Sequence, residues 1–367
     1  MDYFIDIEKP TLVLNEERAR ANIARMAEKA RANGVRFRPH FKTHQSAVIG
    51  EWFWAAGVSR ITVSSVDMAV YFALHGWDDI TIALPVNLRQ IEAITTLART
   101  VHLGLLVESP ESAAVLRQRL NGFADVWLKI DTGAHRTGLA WDQPETVRSV
   151  IAEVQRSPNL ALRGLLTHAG HTYQAGSPAE VEQIYVRTRQ RLNLLRSAVG
   201  AGDLEISVGD TPACSIVQDL SGVDEIRPGN FIFYDAEQML LGSCTWDQIA
   251  VAVACPIVSL HPERNEAVVY GGAIHLSKDF MTYDNHPAYG LVALLERNNW
   301  REMIPGAYVR SLSQEHGVLH IPPEPLSTLL VGDLVFIIPA HSCLTVNALG
   351  RYRTLEGQVI TTMNVEQ

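Results

Sequence analysis

Along the first two thirds of the chain, short apolar runs alternate with longer segments in which apolar residues recur at helical spacing. The apolar runs are often β-branched, which favours strands. The first helical segment spans residues 15–32, with Asn15 as its N-cap and Gly34 just beyond its end. Further helices are predicted at residues 66–74, 111–120, 144–155 and 178–199. Eight strands are predicted at residues 35–37, 60–63, 80–84, 103–107, 126–130, 162–167, 205–208 and 231–233.

The pattern changes near residue 238. From there the chain shows few long helices and short strands at residues 249–258, 267–270, 333–338 and 358–362. Eight strand–helix units in the preceding length indicate a barrel. We therefore predict an α/β protein with a TIM-type (β/α)8 barrel at residues 10–237. A mostly β domain follows at residues 238–367, and residues 1–9 are expected to join it.

Composition limits the possible partners and compartment. The net charge of −9 argues against general nucleic-acid binding, and no apolar run reaches the length of a membrane span. The acidic N-terminus lacks the basic start and apolar stretch of a signal peptide. Four cysteines in 367 residues do not make a disulfide framework. We expect a cytoplasmic protein.

Polar clusters collect directly after the predicted strands, where a barrel of this type places its active site. They lie at residues 38–42 after the first strand, 131–138 after the fifth, 168–173 after the sixth, 209–212 after the seventh and 234–235 after the eighth. Residues 227–230 precede the predicted eighth strand. This distribution predicts one catalytic face that is built from several loops.

The run Arg38-Pro39-His40-Phe41-Lys42-Thr43-His44 contains the most informative residue of the chain. A lysine that attacks a carbonyl must be neutral, and neighbouring cations together with partial burial favour loss of its proton. Lys42 has an arginine and two histidines nearby, which fits that role. An exposed lysine in a basic turn is the alternative, and the motif alone does not exclude it.

Two glycine-containing loops are suited to a phosphate group, which such barrels often hold near the seventh and eighth strands. Gly209 and Gly229 let the backbone approach an anion closely, and Thr211 adds a hydroxyl donor. Asn230 follows Gly229. Each loop alone can equally be an ordinary turn.

A reactive lysine and a phosphate site together suggest pyridoxal phosphate. Lys42 would carry the aldehyde carbon, while Arg136 and Tyr173 could address the ring oxygen and ring nitrogen. His40, His168 and other histidines lie near the same predicted face.

A second cluster lies late in the chain, at Pro339-Ala340-His341-Ser342-Cys343. His341 and Cys343 are predicted to alternate on a strand end, so both side chains can point the same way. Imidazole and thiolate suit zinc, although a buried free cysteine is the plain alternative. Because two ligands leave room for water and substrate, a metal here would be catalytic.

These motifs resemble the fold-type III pyridoxal-phosphate enzymes of the alanine racemase N-terminal barrel superfamily. The likeness is carried by residues 38–44, Gly209-Asp210-Thr211-Pro212, Arg227-Pro228-Gly229-Asn230 and Pro339-x-His341-x-Cys343, and it covers nearly the whole chain in order. The branch containing metal-dependent D-threonine aldolases and D-serine dehydratases is the most similar. The resemblance implies a homodimer with Lys42 as Schiff-base lysine and His341 and Cys343 as metal ligands.

The predicted site residues are therefore as follows. The cofactor-binding set is Lys42, His40, Arg136, Tyr173, Gly209, Thr211, Gly229, Asn230 and Tyr234. His168 and His171 are further catalytic candidates. Zinc is favoured by the thiolate, while manganese or magnesium would fit a site richer in oxygen.

The reaction type follows from the second metal ligand. Aldolases of this branch typically carry His-x-Asp and dehydratases His-x-Cys, so Cys343 favours dehydration of D-serine, D-threonine or 3-hydroxyaspartate to a keto acid and ammonia. Two departures concern the substrate side. Gln45 stands where family members often have lysine, and residues 270–279 differ from the Asp-Ala-Gly segment of characterised aldolases.

Besides a cofactor-free sugar- or phosphate-binding barrel, three alternatives remain open at the level of sequence. Retro-aldol cleavage would release glycine and an aldehyde, with His168, His171 or a metal-bound group as base. An amino-acid racemase shares the fold, but the His-x-Cys pair speaks against it. A non-catalytic pyridoxal-phosphate homeostasis protein uses the same barrel without the β domain, so the second half of this chain opposes that role.

Overall fold

The computed structural model describes residue 4, residues 6–296 and residues 299–366. The chain forms two compact units. The barrel unit comprises residues 24–42 and 49–231, and the β unit comprises the described parts of residues 1–23, 43–48 and 232–367.

The main sheet of the barrel unit contains eight parallel strands, and the short strand Leu139–Ala140 pairs in parallel with the fifth of them. They span Arg36–Phe37, Ile61–Val63, Asp79–Pro85, His102–Val107, Ala124–Asp131, Leu160–Leu166, Glu205–Val208 and Glu225–Ile226. From the second to the eighth, each strand pairs with the next one along the chain, and the first pairs with the eighth. A parallel bridge between His40 and Thr62 joins the two remaining edges. The predicted TIM-type barrel is thereby confirmed.

Helices alternate with these strands, as the sequence pattern predicted. They span Glu16–Ala32, Ala47–Ala55, Val66–Leu74, Ile91–Thr100, Pro110–Arg119, Pro144–Gln155, Pro178–Ala198 and Thr211–Ile216. Asn15 caps the first one by accepting the N–H of Arg18 at 3.0 Å. Inside the barrel, the side chains of Leu106, Trp127 and Leu166 form a buried cluster.

The eighth strand was predicted wrongly. It lies at Glu225–Ile226, whereas residues 230–232 form a single 3-10 turn. The apolar residue Phe231 is buried against the rings of Phe37 and Phe53 at 5.7 and 6.3 Å, not in the sheet. The observed strand begins with a glutamate, so it does not stand out as an apolar run in the sequence. Residues 227–230 therefore follow the eighth strand, on the side where the sequence predicts the catalytic face.

A buried ion-pair network lies at the amino-terminal ends of the strands. The guanidinium of Arg38 contacts the carboxylates of Glu225 at 2.8 Å and Asp79 at 2.5 Å. Glu225 also accepts a hydrogen bond from the Ser207 hydroxyl at 2.8 Å. Arg38 was expected to act as a cation beside Lys42, but its charge is compensated here by two acids.

Substituting Glu225→Gln is expected to lower the free energy of unfolding by about 3 kcal/mol, because it leaves a buried guanidinium without its charge partner. Burial raises the pKa of Glu225, whereas Arg38 and Ser207 lower it by a larger amount. The net shift of this pKa is therefore downward. The stability that ionised Glu225 contributes is therefore present above its ordinary pKa of about 4.5. This stability is lost as the pH falls through the pKa of Glu225 in the folded protein. Urea unfolding at pH 7 and pH 3 checks both statements.

The matched control for this prediction is Glu205→Gln, since the Glu205 side chain is 21% exposed and pairs with the partly exposed Arg36. Such a pair contributes less than about 1 kcal/mol. Equal losses at the two positions, or a loss at Glu225 that persists unchanged in acid, would contradict the prediction.

The β unit is built on a nine-stranded sheet. Its strands span Thr11–Leu14, Val251–His261, Glu266–Tyr270, Gly290–Glu296, Asn299–Leu312, His316–His320, Leu334–Pro339, Arg351–Thr354 and Val359–Thr361. Six of them, from Val251–His261 to Leu334–Pro339, pair in an antiparallel ring. The hairpin Met281–Tyr283 with His286–Ala288 stands apart. The short helices are Ala236–Leu240, Ala273–Leu276, Pro323–Leu326, Ser342–Leu349 and Met363–Glu366.

The predicted mostly β second domain is confirmed, but Thr11–Leu14 pairs within this sheet, although the sequence pattern assigned residues from 10 onward to the barrel. Its consecutive apolar residues suit a central strand that is buried on both faces. The exact domain limits stay a prediction.

Two further findings concern the whole described chain. None of its helices combines the length and apolar character needed to cross a membrane. All four cysteines are buried and free of disulfides.

Candidate active site

The segment that ends at Lys42 is held as an extension of the first barrel strand. The N–H of Phe41 donates to the Thr62 carbonyl and the N–H of His40 to the Pro228 carbonyl, both at 2.9 Å. Lys42 itself is partly exposed. Three rings pack around the Phe41 ring with centroids within 5.0 Å: Phe53, Phe72 and Trp77. The lysine therefore extends from a rigid base.

Both histidines of the lysine motif act as local hydrogen-bond acceptors. His40 Nδ1 accepts the N–H of Lys42 at 3.3 Å, and His44 Nδ1 accepts the N–H of Ser46 at 3.2 Å. Burial lowers the pKa of His40 well below its usual value and that of His44 to about 3. Both rings are thus neutral near pH 7, and they shape the turn instead of adding charge to it.

The charges that act on these histidines come from lysine and arginine side chains of the barrel unit. Lys42, Arg136 and Arg227 all act electrostatically on the imidazoles of His40 and His168. The structure thus brings together four of the predicted residues and adds Arg227. Burial lowers the pKa of Arg227 to about 10, so this arginine stays charged near neutral pH.

His168 is oriented by a backbone contact. Its Nδ1–H donates to the carbonyl of Gly209, which leaves Nε2 as an acceptor. Burial lowers the pKa of His168 to about 3. His168 is therefore a neutral acceptor near pH 7.

The loop after the seventh strand contains an unsatisfied donor. Asp210 caps the following helix by accepting the N–H of Ala213 at 2.8 Å, and it also accepts the Thr172 hydroxyl at 2.9 Å. The Tyr173 hydroxyl lies 3.4 Å from the backbone N of Thr211. Among the described residues, the buried Oγ1 of Thr211 has no hydrogen-bond partner. Buried polar atoms normally have partners, so this hydroxyl indicates a ligand site.

The other predicted residues have different surroundings. Gly229 and Asn230 are buried directly after Arg227 and Pro228. His171 lies beside the 131–135 loop, where burial lowers its pKa, with Arg187 and Arg191 as the leading charge effects. Tyr234 is buried in the β unit with a φ of 51°, a left-handed conformation that is unusual for a bulky residue.

The second predicted cluster lies wholly in the β unit. His341 and Cys343 do not alternate on a strand, because the strand ends at Pro339 and the helix Ser342–Leu349 begins directly after His341. His341 is the N-cap residue and Cys343 lies in the first helical turn. The charge of Cys343 nevertheless acts on the imidazole of His341 and raises its pKa, so the predicted pair is brought together.

Two acidic residues complete this cluster. His341 Nδ1 lies 3.0 Å from a carboxylate oxygen of Asp235 and 3.8 Å from one of Glu237. Asp235 is fully buried and also accepts the N–H groups of Ser342 and Gln238, each at 3.0 Å. This carboxylate therefore fixes the imidazole orientation, as acidic residues do for metal-binding histidines.

The electrostatics of the cluster favour a cation. Ligand atoms of Asp235, Glu237 and His341 lie within 4.8 Å of one another. Burial and the charge of Asp235 raise the pKa of Glu237 to about 7. Burial lowers the pKa of His341, but Cys343 and Asp235 raise it well above its usual value. Crowded acids repel one another, and a bound metal ion relieves that repulsion.

The segment 270–279, which departs from the aldolase pattern, adjoins this cluster. The Thr345 hydroxyl donates to the Leu276 carbonyl at 3.2 Å, and the charge of Asp279 acts on Glu237. Gly272 is required by packing, because a Cβ there would lie 2.3 Å from the Gln314 carbonyl oxygen. The segment is therefore closely packed at Gly272 and adjoins the candidate metal ligands through Leu276 and Asp279.

The family can now be assigned. The family model of the alanine racemase N-terminal domain matches residues 14–237 of the sequence. The chain belongs to this family. In the second half of the chain, residues 250–355 match a putative serine dehydratase domain. Both halves agree with the resemblance seen in the motifs.

Relatives within the family match over their full length. The D-threo-3-hydroxyaspartate dehydratase of Delftia sp. is 29% identical, with 98% of each chain covered. The D-serine dehydratase of Dictyostelium discoideum is 28% identical, covering 97% of this chain and 95% of the relative. A metal-free cysteine-to-alanine mutant of D-threo-3-hydroxyaspartate dehydratase has a similar structure, with a TM-score of 0.90, 27% identity and 99% coverage of both chains.

Sequence reasoning missed Asp235, Glu237 and Arg227 as site residues. Asp235 stands in a polar run directly after the predicted eighth strand, and that position was the available signal. Nothing in the local sequence links it to His341, which follows more than a hundred residues later. Arg227 was placed before the eighth strand, so the strand error hid its position directly after that strand.

Proposed function

We propose that this protein is a lyase that uses pyridoxal phosphate and a divalent metal ion to dehydrate a D-β-hydroxy amino acid. The observation that carries this proposal is the cluster of His341, Cys343, Asp235 and Glu237, because imidazole, thiol and carboxylates are metal ligands. The full-length dehydratase relatives support the reaction type.

The barrel unit fits pyridoxal phosphate. The unpartnered Thr211 hydroxyl and the loops at Gly209 and Gly229 suit its phosphate, and Arg227 adds positive charge. Lys42 supplies the amine that holds the aldehyde carbon. Tyr173 and Arg136 are the proposed contacts to the ring. When bound, the cofactor supplies a conjugated system that stabilises negative charge at the α-carbon.

The β unit fits a metal ion, and the thiol of Cys343 favours zinc. His341 and Cys343 are the proposed ligands, while Asp235 orients the imidazole. When bound, the metal supplies a Lewis acid that makes a hydroxyl a better leaving group. Two protein ligands and a nearby carboxylate leave positions for substrate and water.

The chain's own residues then have distinct tasks. The amine of Lys42 would act as the base that takes the α-proton of the substrate. His168 is a neutral acceptor on the same face and can orient a donor group of the substrate or cofactor. With D-serine, loss of the α-proton and of the β-hydroxyl as water yields 2-aminoacrylate. Its imine form is hydrolysed to pyruvate and ammonia.

Product analysis tests the function. The protein with cofactor and zinc is incubated with D-threonine or D-serine, and with L-serine as control. We expect 2-oxobutanoate or pyruvate together with an equal amount of ammonia, only from the D-isomers, and loss of activity with a chelator. Activity that survives complete metal removal would contradict the proposal.

Retro-aldol cleavage is the second candidate, because Glu237 lies beside His341 and is placed to accept a proton from a β-hydroxyl at the same cluster. Glycine and acetaldehyde from D-threonine would establish it. The homodimer expected from the resemblance, the cytoplasmic location and the substrate's side chain remain predictions alongside this proposal.

A further inference from the structure

A buried contact joins the lysine motif, residues 38–44, to the candidate metal ligand Cys343. The Oγ1 of Thr43 lies 3.3 Å from the Sγ of Cys343, although the two residues are 300 positions apart in the chain. Both side chains are buried, with relative exposures of 0% and 9%, and both belong to the β unit. No role followed for Thr43 from the motif or from the proposed reaction.

The direction of this hydrogen bond depends on the state of the sulfur. Either atom can donate when Cys343 is a thiol. A cysteine binds metal as a thiolate, which has no proton to donate. In the metal-bound protein the Thr43 hydroxyl must therefore be the donor, and its O–H stabilises charge on the sulfur.

The hydroxyl is presented by a tightly held segment. The His44 carbonyl accepts the Tyr352 hydroxyl at 2.7 Å, and the Gln45 carbonyl accepts the Met363 N–H at 2.7 Å. Gln45 adopts a left-handed φ of 52° within this segment. Threonine is also restricted at χ1 by its branched Cβ. The position of the Thr43 oxygen is thus determined by its own backbone and not by the sulfur alone.

We propose that Thr43 is a positioning residue of the metal centre, which orients the Cys343 thiolate and tunes its donor strength. This inference rests on the proposed role of Cys343 as a metal ligand. Since Thr43 directly follows Lys42, one short segment supplies both the proposed cofactor lysine and a hydrogen bond to the proposed metal ligand. Partners of this kind commonly change metal affinity 10- to 100-fold.

The test compares Thr43→Val, which has a similar shape but no hydroxyl, with Thr43→Ser, which keeps it. Each holoprotein is stripped of metal and titrated with cobalt(II), and difference spectra record the thiolate-to-cobalt charge-transfer band. We expect the valine variant to bind cobalt about 10- to 100-fold more weakly, with the band moved to lower energy. The serine variant should restore the affinity and the band position.

The control is Thr362→Val. Thr362 is a fully buried threonine of the same unit whose hydroxyl donates to the Gly350 carbonyl at 3.0 Å, not to sulfur. The Thr362→Val variant should have a lower free energy of unfolding, while its cobalt band stays unchanged. If the Thr43→Val protein fails to fold, Thr43→Ala replaces it in the test. The alanine variant also lacks the hydroxyl, and it adds no methyl group that the site must accommodate.

The outcomes separate this inference from the proposed function. A normal thiolate–cobalt band and affinity in Thr43→Val would overturn the role of Thr43 and leave the metal site intact. Absence of any such band in the wild type, with Cys343→Ala unchanged from it, would overturn the proposed metal site and the role of Thr43 together.

Discussion

Substituting Lys42→Ala is expected to reduce turnover at least ~10³-fold, because the substitution removes the amine that is proposed both to hold the cofactor and to act as the base. The absorbance band of the covalently held cofactor should disappear as well. The rigid backbone before Lys42, fixed by the barrel bonds of His40 and Phe41, predicts that the fold survives. Steady-state kinetics and visible absorbance of the purified variant check this result.

The control for Lys42 is Lys9→Ala, an exposed lysine for which normal activity and absorbance are expected. Added methylamine should restore part of the turnover of Lys42→Ala, since a free amine can replace the missing base. Normal turnover or an unchanged cofactor band in Lys42→Ala would show that the lysine assignment is wrong.

Substituting Cys343→Ala is expected to reduce the zinc content and to lower turnover by about 10²- to 10⁴-fold, because a Lewis acid contributes several kcal/mol to departure of the hydroxyl. Cofactor absorbance should remain, since Lys42 is untouched. Metal analysis and product formation from D-serine check the result. Cys244→Ala is the matched control, as this cysteine is equally buried in the same unit.

Cys343→Asp separates metal binding from the choice of reaction. A carboxylate can still bind the metal, so we expect its content to remain above that of Cys343→Ala. If the thiolate favours dehydration, keto-acid formation should fall relative to retro-aldol products. An unchanged product ratio would show that residue 343 is a poor guide to reaction type.

Several features could be predicted from the sequence because they depend on neighbouring residues. The alternation of apolar runs and helical segments identified seven of the eight barrel strands to within a few residues. Helix limits at residues 66–74 and 144–155 were predicted as observed, since a capping Ser65 and an N-terminal Pro144 mark their starts. The lysine motif was recognisable for the same reason.

Other features depended on contacts between distant parts of the chain. The strand at Glu225–Ile226 looks polar by sequence, and only its buried pairing with Arg38 explains a glutamate there. The motif histidines appeared to be cations that assist Lys42, yet burial keeps them neutral. Local composition does not report burial, which decides their charge.

The sequence by itself determined the barrel and the β domain and singled out Lys42, His341 and Cys343 as candidate site residues, because each depends on local periodicity or on a short motif. Only the tertiary structure added Asp235 and Glu237 beside His341 and placed the Thr43 hydroxyl against the Cys343 sulfur. These contacts join residues that are one hundred to three hundred positions apart, and their distances are set by how the chain packs.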